Sequence, residues 1–336
     1  MSAPTISVVM PVYNSLSYVE KSVRAVLAQS FSNFELLICD DCSTDGSWPL
    51  LQKLASEDAR IRVLRTEANS GSAKIPREMA IRAAVSPWVC WIDSDDVVPP
   101  NYLQKLMDRA IETDADCVCS RMEAFEENGC VRYTLPPNES FDYSVVVTGK
   151  EACMMTIGLR WGLNANGFLV RRDLWVNSST FLSPEVIQMN ADDLTTREIL
   201  LSCGKVAFAD VRYGYRLHAD GITKKVSKKL FEPLLTDCMV IDLLKTRFGG
   251  GSEESRGGYC QLMFHYISCL RLYVVKNHEF SDDDKSAARL HIKRAWKKLN
   301  IRSICHASEI SMSQRSLLLL PPIISIFLVK ILHSFK

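Results

Sequence analysis

The chain has 336 residues, with 40 lysines and arginines against 39 aspartates and glutamates and a net charge of +1. That balance excludes nucleic-acid recognition by bulk electrostatics. A hydrophobic content of 47% supports a large core and leaves apolar residues for a membrane-facing surface. Of the 12 cysteines, Cys39, Cys90, Cys117, Cys119 and Cys269 sit inside apolar runs, as reduced, buried thiols of a cytoplasmic protein do. Cys39 and Cys42 form a C-x-x-C with no second pair at metal spacing, so core packing is the reading for both.

The first residues lack the basic start and long apolar core of a secretory signal, so an intracellular start is expected. Strand and helix then alternate. Residues 6–10 are a β-branched apolar run stopped by Pro11 and Asn14. Ser17 and Glu20 read as a capping box for a helix carrying Val19, Val23, Val26 and Leu27. Strands are expected at 34–39, 61–64 and 88–92, with helices at 48–55 and 74–84 and another after Pro100 carrying Leu103, Leu106, Met107 and Ala110. Cys117 and Cys119 lie in one more short strand. Glu127-Asn128-Gly129 reads as a hairpin turn. Thr148 and Glu151 form a second capping box, Asp192 and Asp193 open a helix to about 202, and 206–209 is a strand.

From about residue 226 the spacing is helical, over 230–248, 259–275 and 287–299. Residues 317–329 carry no charge and are flanked by Arg315 and Lys330. That run is shorter than the roughly 20 residues a spanning helix needs. An interfacial anchor and a helix packed on the domain are the two readings of it. The pattern predicts an α/β fold with a mostly parallel sheet covered on both faces, and a helical C-terminal extension. The expected division is a domain at 1–225 and a helical region at 226–336.

In such sheets ligands bind beyond the carboxyl ends of the strands. Acidic clusters stand at two of these ends, Asp40/Asp41 and Asp93/Asp95/Asp96, and a third, Asp192/Asp193, opens a helix. Carboxylates beside a nucleotide diphosphate require a cation, and Mg²⁺ or Mn²⁺ takes oxygen ligands from one or two carboxylates plus phosphates. The plainer reading of the second cluster is an Asp-rich turn before Pro99-Pro100.

The opening Ser7-Val8-Val9-Met10-Pro11-Val12-Tyr13-Asn14 resembles the start of family 2 glycosyltransferases, inverting enzymes with the GT-A fold. So do Ala28-Gln29-Ser30-Phe31-Ser32-Asn33-Phe34-Glu35-Leu36, the Asp41 cluster, and Trp91-Ile92-Asp93-Ser94-Asp95-Asp96, which is similar to the family's D-x-D segment. These motifs cover roughly the first 110 residues in the family's order. Asp192-Asp193-Leu194 resembles the family's acidic pair, and Tyr215-Arg216-Leu217-His218 with Gly221-Ile222-Thr223 its closing basic and aromatic segment.

The resemblance implies that Pro11, Tyr13 and Asp41 line the nucleoside pocket, Asp41 accepting from the base, and that Asn14 also binds the donor. Arg77, Asp93 and Ser94 face the rest of the donor, and Asp95, Asp96 and His218 bind Mn²⁺ or Mg²⁺. Asp193 is then the catalytic base. The bland alternatives are a helix-start cap for Asp193, a surface histidine for His218, a pair with Glu78 or Glu67 for Arg77, and a core position for Tyr13. Cys42 stands where the family usually has glycine, and Glu78 where it usually has asparagine. The motif Q-x-x-R-W of processive synthases is absent, so one sugar per encounter is expected.

The expected donor is a nucleotide diphosphate sugar, a uridine diphosphate sugar by default. The expected acceptor is a saccharide or lipid-linked saccharide, at the inner face of a membrane. The competing readings are a sugar nucleotidyltransferase and a non-catalytic homologue acting as an assembly partner at the membrane. The loop 11–15 has neither the glycine nor the basic residue that a triphosphate grip uses.

Overall fold

The computed structural model describes residues 3–136, 141–157, 166–181, 183, 186, 190–218 and 226–300. The expected tail segment at 317–335 and the Gly221-Ile222-Thr223 motif lie outside the described residues. The chain divides into two compact units, one of 1–156, 161–187 and 195–218, the other of 157–160, 188–194 and 219–336.

The first unit is built on one sheet. The fully buried run Ile6–Val12 (β1) is rich in β-branched residues and has both faces covered. It pairs in parallel with β2 (Phe34–Asp40) on one side and β4 (Trp88–Trp91) on the other, while β3 (Ile61–Arg65) extends the sheet beyond β2. The connecting helices are α1 (Val19–Leu27), α2 (Ser47–Glu57) and α3 (Lys74–Ala83), followed by α4 (Tyr102–Thr113). Val19, Val23 and Val26 put one face of α1 in the core, and Leu103, Leu106, Met107 and Ala110 do the same for α4.

The expected capping box at Ser17 and Glu20 does not form. The N-cap is Tyr18 with no side-chain cap, and Glu20 instead pairs with Arg24 one turn on at 2.7 Å. Thr148 and Glu151 do form theirs. Thr148 N–H donates to Glu151 Oε2 at 2.8 Å, and Glu151 N–H donates to Thr148 Oγ1 at 3.2 Å.

The far half of the sheet is mixed. It contains β5 (Cys117–Glu126), β6 (Val131–Leu135), β7 (Val146–Val147), β8 (Leu169–Arg171) and β9 (Val206–Leu217). The strand order is β3-β2-β1-β4-β8-β5-β9-β7, with β6 hairpinned onto β5 and β8 antiparallel to both its neighbours. Between these strands run α5 (Gly149–Thr156), α6 (Arg172–Val176) and α7 (Ala191–Ser202). The strand expected at 206–209 extends to Leu217, paired in parallel with a β5 that is likewise longer than expected. Asp210 interrupts the apolar run with a charge, and a register shift between Ser120 and Arg121 there breaks the simple alternation.

The second unit contains α8 (Pro233–Phe248), α9 (Glu253–Val275) and α10 (Asp282–Lys298) around a core including Leu234, Ile241, Leu262, Tyr266, Leu270 and Ile292. Ser252 and Ser281 cap α9 and α10, each accepting the backbone N–H three residues on. Inside this bundle the buried Asp237 carboxylate accepts from Gln261 Nε2 at 2.8 Å and lies 2.6 Å from His265 Nδ1.

One charged pair is fully enclosed in the first unit. Lys74 Nζ lies 2.7 Å from Glu78 Oε2 across one turn of α3, both side chains only 1% exposed. Burial pulls the Lys74 ammonium below its ordinary range, with Glu78 acting in the opposite sense. Lys74→Met should therefore cost about 3–5 kcal/mol, because it removes one partner of a buried ion pair. Lys74→Met/Glu78→Leu should recover most of the loss, and urea denaturation of the two variants beside the parent measures both.

Candidate active site

The strand order puts a topological switch between β1 and β4, because the chain builds β2 and β3 outward on one side of β1 and then returns to its other side. Loops leaving neighbouring strands part there and open a crevice. Tyr13, Asn14 and Ser15 leave β1 at this point, and Asp93, Ser94, Asp95 and Asp96 leave β4. Ser15 Oγ and Ser94 Oγ are 2.8 Å apart and join the two loops. Pro11 is buried in register with Cys39, and Tyr13 just beyond β1 is 46% exposed.

Asn14 adopts φ +48°, its N–H donates to Ser43 Oγ at 2.9 Å, and its Oδ1 accepts from Thr44 N–H at 2.8 Å. The β1 loop is thereby tied to the β2 loop. Cys42 takes φ +58°, so cysteine occupies the left-handed position the family gives to glycine. Asp41 is 2% exposed. Its carboxylate accepts from Thr66 Oγ1 at 2.9 Å, Asn69 Nδ2 at 3.1 Å and Ser70 Oγ at 2.9 Å, and also from Ser70 N–H. These bonds pin the 66–70 segment beside the site.

The turn after β4 is held from three directions. Asp93 Oδ1 accepts from Trp91 Nε1 at 2.7 Å and Oδ2 from Asn166 Nδ2 at 2.7 Å. Arg77, 3% exposed, lays its guanidinium 3.7 Å from the centre of the Trp91 ring, a cation–π contact. Asp93 N–H donates to Tyr213 Oη at 3.0 Å, and that hydroxyl donates to Asp96 Oδ2 at 2.7 Å.

Asp95 and His218 face each other, with Oδ2 to Nε2 at 2.7 Å and side chains 34% and 19% exposed. Tyr18 packs its ring 4.6 Å from the His218 ring, and its hydroxyl donates to Glu127 Oε1 at 2.9 Å. Arg216 donates from Nε to the Asp95 carbonyl at 2.8 Å and stacks over Tyr18 and Phe125.

Asp96 departs from expectation. It is fully buried, Oδ1 accepting from Arg216 N–H at 2.8 Å and Oδ2 from Tyr213. Burial first, then the charges of Asp95 and Asp93, push its carboxyl well above the ordinary carboxylate range. Of the expected trio, Asp95 and His218 reach solvent and Asp96 is enclosed. Among the described residues no three of His, Cys, Asp or Glu converge as a metal cage. One carboxylate and one imidazole, half-open to solvent, fit a divalent ion that takes its other ligands from phosphate and water.

Asp193 belongs to the second unit, in the first turn of α7, where its N–H donates to the Asn190 carbonyl at 3.0 Å. Asn190 itself has φ +66°. The sequence reading missed Ser15, Tyr18, Asn166 and Tyr213. Only Tyr213 carried a signal, standing two residues before the Tyr215 motif on a strand expected to end earlier.

A largely parallel sheet with an acidic turn beyond its switch point and helices following in sequence has the architecture of GT-A-type transferases. Residues 7–150 match the family described as glycosyl transferase family 2. The chain is 26% identical over 269 residues to glycosyltransferase GlyG of Streptococcus pneumoniae, covering 72% of this chain and 85% of that protein. It is 40% identical over 109 residues to the putative teichuronic acid biosynthesis glycosyltransferase TuaG of Bacillus subtilis, covering 32% of this chain and 43% of that one. The fold also matches the crystal structure of S. aureus TarS residues 1–349 in complex with UDP-GlcNAc, with a TM-score of 0.70 over 97% of this chain and 89% of that chain at 17% identity. Residues 7–150 are thus a glycosyl transferase family 2 region, and the chain as a whole has a GT-A-like fold. The match over residues 7–150 favours sugar transfer over the nucleotidyltransferase reading.

Tyr213→Phe removes the acceptor of Asp93 N–H and the donor to Asp96 together. The expected loss is about 1–3 kcal/mol, since the buried Asp96 oxygen loses its donor, and chemical denaturation measures it.

Proposed function

We propose that this enzyme transfers one sugar at a time from a uridine diphosphate sugar to a hydroxyl of a saccharide or lipid-linked saccharide, with inversion at the anomeric carbon. The observation that carries the reading is the Asp95–His218 pair at the switch point, beside an Asp93 fixed by Trp91 and Asn166. The uridine choice is supported by TarS, whose structure holds UDP-GlcNAc.

In this reading Tyr13 offers its exposed ring to the base, and the Asp41-pinned segment shapes the wall around it. Asp93 presents a pre-oriented carboxylate to donor hydroxyls. Asp95 and His218 would hold Mn²⁺ or Mg²⁺, which when bound neutralises the charge of the diphosphate. The acceptor oxygen forms its bond to the anomeric carbon as the bond to the diphosphate oxygen breaks, and that electron pair leaves on the diphosphate. Asp193 takes the hydroxyl proton as the new bond forms. A single base and a single displacement give inversion. The proposed division of the chain is a catalytic domain at 1–225 and a helical region from 226. Among the described residues no helix is long and apolar enough to cross a membrane.

Thermal shift with UDP and Mn²⁺, together with UDP release from UDP-GlcNAc, tests the assignment. Asp95→Ala should lose the metal-dependent shift, since a ligand stabilises only the state that binds it. Asp193→Ala should keep the shift and turn over about 10²–10⁴-fold more slowly. Unchanged turnover in Asp193→Ala would remove the base, and the absence of any metal-dependent response to UDP in the parent would remove the donor.

A further inference from the structure

The buried side of α10 is Ala288, Ile292 and Ala295. Its opposite side is cationic. Arg289, Lys293, Arg294 and Lys297 are all exposed, and none has an acidic partner among the described residues. Arg289, Lys293 and Lys297 recur every four residues and so form one stripe, with Leu290, 47% exposed, beside them. Like charges at this spacing repel along a helix, so the folding of α10 does not account for them. The acids of this helix, Asp282, Asp283 and Asp284, are confined to its first turn, where the helix N-terminus favours them.

The stripe belongs to a wider segregation of charge. Residues 285–336 contain ten lysines and arginines against one acid, Glu309. The preceding 284 residues contain 30 against 38. A chain that is neutral as a whole therefore places a strongly basic segment after an acidic body.

Two partners suit a cationic helix face, a soluble polyanion and a lipid surface bearing anionic headgroups. The following sequence favours the second. Residues 317–329 are uncharged between Arg315 and Lys330, and a polyanion has no use for such a run. A membrane interface takes up cations at the headgroups and apolar side chains just below them. We propose that the Arg289, Lys293, Arg294 and Lys297 face of α10 binds anionic lipid headgroups and holds the enzyme on a membrane surface.

Co-sedimentation of the full chain with vesicles tests this, comparing phosphatidylcholine alone with phosphatidylcholine mixed with phosphatidylglycerol. Binding should be selective for the mixed vesicles and weaken steeply with added salt. Arg289→Gln/Lys293→Gln/Lys297→Gln should bind them about 100-fold more weakly, each cation near such a surface being worth roughly fivefold. The variant should melt close to the parent, since the three residues are exposed and Arg289 gives up only 3.3 Å hydrogen bonds to Tyr273 Oη and Ser286 Oγ. Equal binding to both vesicle types would overturn the proposal, as would a variant that binds like the parent. So would parent protein that is captured by inorganic polyphosphate but ignores the anionic vesicles.

Discussion

Asp96 is the fastening on which the site depends. Burying a carboxyl group is costly unless its oxygens are bonded, and for Asp96 the partners are Tyr213 and the backbone of Arg216 on β9. Val97 and Gly214 add a reciprocal pair of backbone hydrogen bonds at 3.0 and 2.9 Å. Glycine is required at that crossing, because a Cβ would stand 2.9 Å from the Val97 carbonyl. The turn after β4 is thereby fixed to a strand that is not its sheet neighbour, and Asp95 is carried to His218 at the end of that strand.

Order then passes outward through aromatic contacts. Trp91 receives Arg77 on its face and donates from its edge to Asp93, so a helix on one side of the sheet and the acidic turn share one indole. On the other flank Phe125, Arg216, Tyr18 and His218 stack in sequence, and the Tyr18 hydroxyl ends on Glu127 of the β5–β6 hairpin. The imidazole is thus oriented by a ring held at both ends, which limits what must be rearranged when a ligand arrives.

Much of this was legible in the sequence wherever a single local rule governed. Buried β-branched runs gave β1 and β2, helical spacing gave α1 and α4, and Thr148 with Glu151 gave the start of α5. The acidic turn was legible because three aspartates follow a buried strand. What escaped were features set by distant partners. Ser17 and Glu20 have the spacing of a cap, yet Arg24 one turn later takes Glu20. The length of β9 is decided by pairing with β5 across a register shift, and β8 is a three-residue strand with too little pattern to stand out. The burial of Asp96 was not legible because nothing in its neighbours reveals that Tyr213 bonds to it.

Among the described residues of these loops, counting bonds separates acids held on both oxygens from Asp95, which is held on one. Asp41 is saturated by the 66–70 segment, and Asp45 accepts from Leu16 N–H with one oxygen and from Ser47 N–H and Oγ with the other. Asp93 has a short bond on each oxygen, and Asp96 is enclosed. Asp95 is engaged only through Oδ2, by a histidine that is itself a metal ligand type, and keeps a third of its side chain exposed. A hard cation exchanges water for carboxylate oxygen readily when that oxygen has no competing donor. The acidic richness of these loops is therefore mostly scaffolding for one carboxylate, and the geometry around Asp95 follows from the burial of its neighbour.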